Sequence, residues 1–181
     1  MSETLEMLET PRLLLRPPVM DDAGNIATYL NDFAVSGNLA RVPFPYRRID
    51  AEAWLKTRRP GLPPAETNFA IDLPGEGCVG VVGFHQGVNG TILGYWLARP
   101  FWSRGIMTEA AGASLDWFFE TTDAQKVLSG VFHFNTASMR VQEKLGFTVT
   151  GRSRLLCLAR GVEVEHIDTQ LTRSAWKAGK R

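Results

Sequence analysis

Cysteine is nearly missing from this chain of 181 residues: there are two, Cys78 and Cys157, far apart in sequence. That spacing excludes a disulfide framework, and without a CxxC pair or a Cys/His cluster no metal site is expected. An excess of one charge sign is also missing. Twenty Lys and Arg against nineteen Asp and Glu leave a formal net charge of +1. The two signs are interspersed, so no direct nucleic-acid binding is expected. No apolar run is long enough to suggest a membrane span, and Met1 to Glu9 is acidic where a signal peptide would be basic. A cytoplasmic protein is the resulting expectation. His85, His133 and His166 are too scattered to imply a site by themselves, although a fold can still gather them.

What is present is an ordinary globular composition, 44% apolar, over a length that suits one domain. Arg12–Arg16 reads as a first strand, stopped by Pro17-Pro18. Asp21 or Asp22 caps a helix to about Asn31, with Ile26, Ala27 and Leu30 as its apolar stripe. Phe33–Tyr46 reads as an irregular segment long enough to be a functional loop. Asp50 is the expected N-cap of a second helix carrying Ala51, Trp54 and Leu55. Asn68–Leu73 and Cys78–Phe84 form a hairpin across Pro74-Gly75-Glu76-Gly77, and Thr91–Ala98 follows as the next strand. Lys126–Phe134 is another strand. It leads into a short helix capped by Asn135 and Gly146, with Ala137, Val141 and Leu145 on its buried face. Two paired strands close the chain across Arg160-Gly161. The expected order is β-α-α-β-β-β-α-β-α-β-β: a single α/β domain over 1–181 with a mixed sheet, and with frayed ends at 1–9 and 174–181.

The stretch with most chemical content runs from Gly94 to Thr108. Tyr95, Trp96 and Leu97 favour a strand, Pro100 ends it, and a helix starts after Gly105. The first N–H groups of such a helix lack partners, and together with the helix dipole they form a place for phosphate. Gly105 permits close backbone approach and Arg104 adds positive charge. A strand–turn–helix with one glycine is also common without any ligand.

Taken with four further segments, this stretch resembles the GCN5-related N-acetyltransferase family, in its branch similar to the ribosomal-protein N-terminal acetyltransferases. The segments are Thr10-Pro11-Arg12-Leu13, Pro43-Phe44-Pro45-Tyr46, Asn135-x-x-Ser138 and Glu143-Lys144-Leu145-Gly146-Phe147. The resemblance covers nearly the whole chain. It implies a mostly antiparallel mixed sheet flanked by helices, and acetyl-CoA as acetyl donor without a metal. The family turn motif, Gln/Arg-x-x-Gly-x-Gly/Ala, falls on Trp102–Met107, where Gly105 alone matches strictly and Met107 replaces a small residue. By resemblance, Ser103, Arg104, Gly105, Ile106, Met107 and Thr108 hold the pyrophosphate. The backbone at Trp96, Leu97 and Ala98 lies along the pantetheine arm, and one of its N–H groups polarises the thioester carbonyl. Asn135 matches the residue that bonds the pantetheine and reads equally as a plain helix cap. Ser138 matches the residue near the departing sulfur, or is an ordinary first-turn serine.

The implied reaction is direct attack of a neutral primary amine on the thioester. An α-amino group has a pKa near ~7.7 and lysine near ~10.4, so deprotonating lysine costs about 3–4 kcal/mol more at neutral pH. A protein N-terminal amine therefore needs less help from a base. Where many relatives carry a carboxylate, two residues before Gly94, this chain has Ile92. Glu66 is the leading substitute base, acting through water, and otherwise a solvated loop carboxylate. His85 is a weaker candidate, His133 reads as packing, and Tyr46 and Trp54 read as either acceptor-pocket lining or core. The acceptor, a protein N-terminus or a small molecule, is set by Phe33–Tyr46 and the C-terminal hairpin. Monomer and homodimer stay open. The competing readings are an acyl-CoA-binding protein of weak or lost activity, suggested by Ile92 and Met107, and an unrelated phosphate-binding α/β protein.

Overall fold

The structure, a computed structural model, describes residues 6–59 and 61–180. Its strands are β1 (Leu8–Glu9), β2 (Leu14–Arg16), β3 (Asn68–Leu73), β4 (Gly77–Gly87), β5 (Gly90–Leu97), β6 (Lys126–Phe132), β7 (Thr148–Cys157) and β8 (Val162–Thr172). Its helices are α1 (Ala23–Leu30), α2 (Phe33–Ser36), α3 (Arg48–Leu55), α4 (Ile106–Thr121), α5 (Thr136–Leu145) and α6 (Arg173–Ala178). The eight strands make one sheet in the order β1-β2-β3-β4-β5-β6-β8-β7. Each neighbouring pair is antiparallel except β5 and β6, which are parallel and register at one position, Ile92 opposite Leu128. The parallel pair is joined through α4, as a parallel crossover requires.

Alternation along the strands sends side chains to two faces. On one face α4 packs Ala110, Ala111, Leu115 and Phe118 into a core with Phe69, Val82, Phe84 and Leu93. Phe84 stacks on Phe118 at a centroid distance of 4.4 Å. On the other face α1 and α3 supply Ala23, Ile26, Leu30, Ala51 and Leu55, which close over Ala70 and Cys78. A smaller cluster on that second face, Phe132, Cys157 and Val164, is covered by Ala40. The two covered regions leave a strip of sheet between them, and the strip crosses β4, β5 and β6 where β5 and β6 separate.

Several expectations are corrected. The C-terminal tail is a helix. Arg173 ties its start down by donating from Nε to Ala124 O and from its two Nη atoms to Phe119 O and Thr122 O, and so partners carbonyls at the end of α4. Trp176 packs against the main core and donates its indole N–H to Asp116. Of the N-terminal segment read as frayed, Leu8 and Glu9 pair with Leu15 and Leu14, while residues 1–5 lie outside the described residues. Within Phe33–Tyr46 the chain forms α2, capped by Asp32. Helix α3 starts at Arg48, so Asp50 is not its N-cap but sits in its first turn, accepting the Arg47 backbone N–H at 2.8 Å. In α5, Ala137 is exposed, and the inward positions are Gln142 and Leu145.

Arg16 locks the start of the chain to the second face. Its Nη atoms donate to both oxygens of Asp22 at 2.8 and 2.9 Å, and its Nε donates to Asp72 at 2.7 Å. The Asp22 hydrogen bonds are the main cause that holds the guanidinium above its usual pKa, against the opposing effect of burial. Asp22 is 6% exposed and takes two of the three carboxylate bonds of a half-buried Arg16, so removing it leaves that cation with Asp72 alone. We expect Asp22→Ala to cost about 3 kcal/mol in chemical denaturation, against under about 1 kcal/mol for Glu52→Ala, whose ion pair with Arg48 is solvent-exposed.

Candidate active site

The site is built where β5 and β6 part. Ala98 donates its N–H to Val79 O at 2.9 Å. Antiparallel alternation then places the backbone groups of Ala98 and Trp96 towards β4, and those of Leu93, Tyr95 and Leu97 towards β6. Beyond Leu128 the register with β6 has ended, so Tyr95 and Leu97 present N–H and C=O to the opening. Of the three positions Trp96, Leu97 and Ala98, Leu97 alone turns its backbone groups to the opening, and Tyr95 does the same. The Leu97 carbonyl accepts the Trp102 indole N–H at 2.7 Å.

A buried polar chain closes the base of the opening. Ser129 Oγ donates to Leu93 O at 2.9 Å, Gln142 Nε2 donates to Ser129 Oγ at 2.9 Å, and Thr169 Oγ1 donates to Gln142 Oε1 at 2.6 Å. The chain links β5, β6, α5 and β8. Above it, Tyr95 and Ser138 share a hydroxyl–hydroxyl hydrogen bond of 2.8 Å across the gap from β5 to α5. Burial, the largest influence, holds the Tyr95 phenol above its usual pKa, with hydrogen bonds to Ser138 and Gln142 opposing it. At neutral pH the phenol is therefore a proton donor. Asn135 caps α5, its Oδ1 accepting the Ser138 N–H at 3.2 Å, so the cap reading is met while its amide nitrogen is left for another partner.

At the end of β5 the chain turns through Ser103 at φ 61° and Gly105 at φ 74° into α4. This left-handed backbone suits glycine at 105. A Cβ on Gly105 would meet only the Arg12 guanidinium, at 3.5 Å. No side chain among the described residues caps α4. Its first N–H groups and positive pole are thus left for an anion. Ile106 and Met107 are 3% and 6% exposed and point into the main core. The Met107 side chain does not crowd the turn, which removes that concern. Ser103 and Arg104 are exposed, with Arg104 lying over the Phe101 ring, and Thr108 is half-buried. Arg12 braces the turn from the start of the chain, donating from Nη1 to Arg104 O at 2.8 Å and from Nε to Glu109 at 2.7 Å. Thr10 Oγ1 also donates to Glu109, at 2.7 Å. Burial acts to raise the Glu109 carboxyl, but the bonds from Thr10 and Arg12 outweigh it and hold the group below its usual range.

On the opposite face, Phe33–Tyr46 and the β7–β8 hairpin meet. Leu158 N–H bonds Ala40 O at 3.1 Å, and Arg160 Nε bonds Gly37 O at 2.7 Å. The Arg160 guanidinium lies over Phe33 and Phe134 at 5.1 and 4.3 Å from the ring centres. Glu66 closes a short 3-10 turn, Pro64–Glu66, and is exposed; Arg58 is the cation that feels its charge. Nothing in the structure ties Glu66 to Ser138. His133 is exposed rather than packed, and lines a shallow cavity of about 270 Å³ with Met139 and Arg140. Tyr46 is core: it is 8% exposed, and burial, then the Asp50 charge, push its phenol up to about 12. Trp54 packs at the edge of that core under Arg58.

Sequence reasoning passed over Tyr95 as a proton donor, and it left His166 as one of three scattered histidines that a fold can still gather. His166 Nδ1 lies 2.7 Å from Asp168 Oδ1. The alternation His166-x-Asp168 on one strand was the available signal. His85 faces the same strip, and burial, then the Arg41 charge, push its imidazole down to about 4. A depressed folded-state pKa gives stability that is present above pH 6.5, the ordinary histidine value, and lost as pH falls through 4. We expect a plot of melting temperature against pH to fall less for His85→Gln than for wild type between pH 6.5 and 4.

Residues 12–148 match the acetyltransferase (GNAT) domain family. The probable N-acetyltransferase YjcK of Bacillus subtilis is 34% identical over 92 residues, 49% of this chain and 51% of that protein. The [ribosomal protein uS5]-alanine N-acetyltransferase of Escherichia coli is 26% identical over 106 residues, 56% of this chain and 55% of that one. The chain thus spans about half the length of the curated relatives it matches first. A solved structure of Mycobacterium smegmatis RimJ in complex with CoA-disulfide superposes with a TM-score of 0.73 at 21% identity, covering 94% of this chain and 87% of that one. That likeness places the eight-stranded sheet and its helices in a known fold. With three-quarters of its length matched, the chain belongs to the GNAT acetyltransferase domain family.

Proposed function

We propose that the protein is an acetyl-CoA-dependent N-acetyltransferase that acetylates a primary amine by direct attack, with a protein N-terminal amine as the acceptor class. The observation that carries this reading is the opening between β5 and β6, where the backbone of Tyr95 and the N–H of Leu97 lie beyond the β6 ladder, beside the uncapped start of α4. The residues present fit the donor. Gly105 leaves room for a phosphate, the α4 pole attracts it, and Arg104 is exposed beside it. The relative RimJ was solved with a CoA disulfide, and the Escherichia coli relative is named for alanine N-acetylation of a ribosomal protein.

When bound, the thioester supplies an activated acetyl group. The protein's own parts then divide the work. Leu97 N–H is the backbone donor placed to hold the thioester carbonyl as negative charge grows on it. The Tyr95 and Ser138 hydroxyls, already bonded to each other, supply a proton to the sulfur that leaves. Asn135 keeps its amide nitrogen for the pantetheine arm. Glu66, exposed and remote in its contacts, is left with the role of a solvated carboxylate.

A hundredfold excess of acetyl-CoA over its dissociation constant is expected to stabilise the protein by about 2.7 kcal/mol, read as a raised melting temperature, with CoA similar and ATP without effect. CoA release on a panel of N-terminal peptides and small amines is expected to be detectable and to favour the peptides. No rise with either form of CoA would set the enzyme reading aside, and tight binding without turnover on any acceptor would favour an inactive acyl-CoA binder. Tyr95→Phe with Ser138→Ala is expected to lower kcat about a hundredfold while leaving the acetyl-CoA melting shift in place. Equal rates for wild type and the double variant would remove both hydroxyls from the chemistry.

A further inference from the structure

A row of glycines crosses the sheet on the face away from α4 and α5. Gly83 on β4 pairs with Gly94 on β5. Two residues past the Ile92–Leu128 pair, Gly94 is level with Gly130 on β6, and Gly130 pairs with Asp168 on β8. Missing side chains at these positions form a trough across the strands where β5 and β6 part. What enters the trough differs at each step. Asn68 fills the space over Gly83, where a Cβ would lie 2.7 Å from its side chain. Gly94 is open, with His85 as its neighbour at 3.8 Å. Gly130 lies under the His166 ring, where a Cβ would come within 2.1 Å of Cε1 and 2.7 Å of Nε2. Glycine at 130 is therefore what allows this imidazole to lie across β6 and reach the edge of the opening.

The ring is held in one sense. Asp168 Oδ1 lies 2.7 Å from His166 Nδ1 and also accepts from Ser153 Oγ at 2.8 Å. A carboxylate accepts, so Nδ1 carries the hydrogen, and in the neutral ring the lone pair is on Nε2. Phe132 packs edge-on against the ring at 5.9 Å. The result is a fixed imidazole whose basic nitrogen lies over Gly130, on the side of the sheet opposite the Tyr95–Ser138 pair.

We propose that His166 is the proton acceptor for the attacking amine, with Asp168 and Ser153 as its positioning residues. This rests on the acetyltransferase reading above. As the amine nitrogen attacks from the trough, a C–N bond forms and the C–S bond breaks. The sulfur takes the electron pair and a proton from the Tyr95–Ser138 hydroxyls. The nitrogen's surplus proton passes to His166 Nε2, and solvent later returns the balance. The two faces of the sheet thus handle the two protons separately. Base on this face makes a carboxylate at position 92 unnecessary. The charged or titratable groups that face the trough are Asp168 on β8, His85 on β4, Arg41 between α2 and α3, and Arg160 at the β7–β8 turn. The Arg152–Glu165 ion pair lies on the other side of β7 and β8.

The test measures kcat/KM against pH by CoA release, together with the acetyl-CoA melting shift, for wild type, His166→Gln, Asp168→Asn and the exposed His133→Gln. His166→Gln is expected to lose about a hundredfold in kcat/KM at neutral pH, to lose the acid limb of the profile, and to keep the melting shift. Asp168→Asn removes a negative charge beside the ring, so its acid limb is expected to move to lower pH with a smaller loss of rate. His133→Gln is expected to match wild type. A wild-type profile in His166→Gln overturns the assignment while leaving the acetyltransferase reading intact. An unmoved acid limb in Asp168→Asn does the same even where His166→Gln fails to fold. Absence of CoA release by wild type on every amine overturns both.

Discussion

The whole site depends on one buried chain of hydrogen bonds, Leu93–Ser129–Gln142–Thr169. Gln142 is fully buried, Thr169 is 1% exposed and Ser129 is 8% exposed. Buried amides and hydroxyls are costly when unpaired, and here each finds a partner, so the arrangement has few alternatives of comparable energy. The chain fixes how far β6 follows β5 before the two part. If β6 continued in register, its backbone would occupy the groups that Tyr95 and Leu97 now present to the opening. If the chain were absent, α5 would lose its link to the sheet at Gln142, and Ser138 would lose its place opposite Tyr95.

From that hinge the two faces acquire different chemistry. The face with α4 and α5 carries a helix pole, an uncapped turn and a pair of hydroxyls, all suited to a phosphate-bearing acyl donor and its leaving group. The other face carries a glycine trough, two histidines, and a rim built from Phe33, Phe134 and Arg160. The glycine trough therefore lies on the face of the sheet opposite the Tyr95–Ser138 hydroxyl pair.

The parts of this design set by local chemistry were legible in the sequence. Gly105 and Gly146 stand at left-handed positions at a helix start and a helix end, and Pro74-Gly75 sits in the hairpin turn. The strand–turn–helix from Gly94 to Thr108 carried the family likeness only together with the four segments around it. What was not legible came from distant partners. Ala137 looked buried by period, yet the inward face of α5 is set by Gln142, whose partners lie on β6 and β8. The tail looked frayed because its charge is basic, yet Arg173 finds carbonyls that only the end of α4 can present. His166 looked isolated because its significance lies in Gly130, more than thirty residues away and without a side chain to notice. Met107 looked obstructive because its spacing says nothing of which way the side chain turns.

The Arg12 brace carries a consequence for the order in which the protein is made. Arg12 and Glu109 are 97 residues apart in the chain, and Arg12 also holds the Arg104 carbonyl. During synthesis the first strand is out of the ribosome long before the turn it supports exists. The turn into α4 can take its braced form only after α4 has emerged and closed a loop of that length, and the polar chain at the hinge waits longer still, for Thr169. A nascent chain therefore completes this turn late, when the sheet beside it is nearly whole.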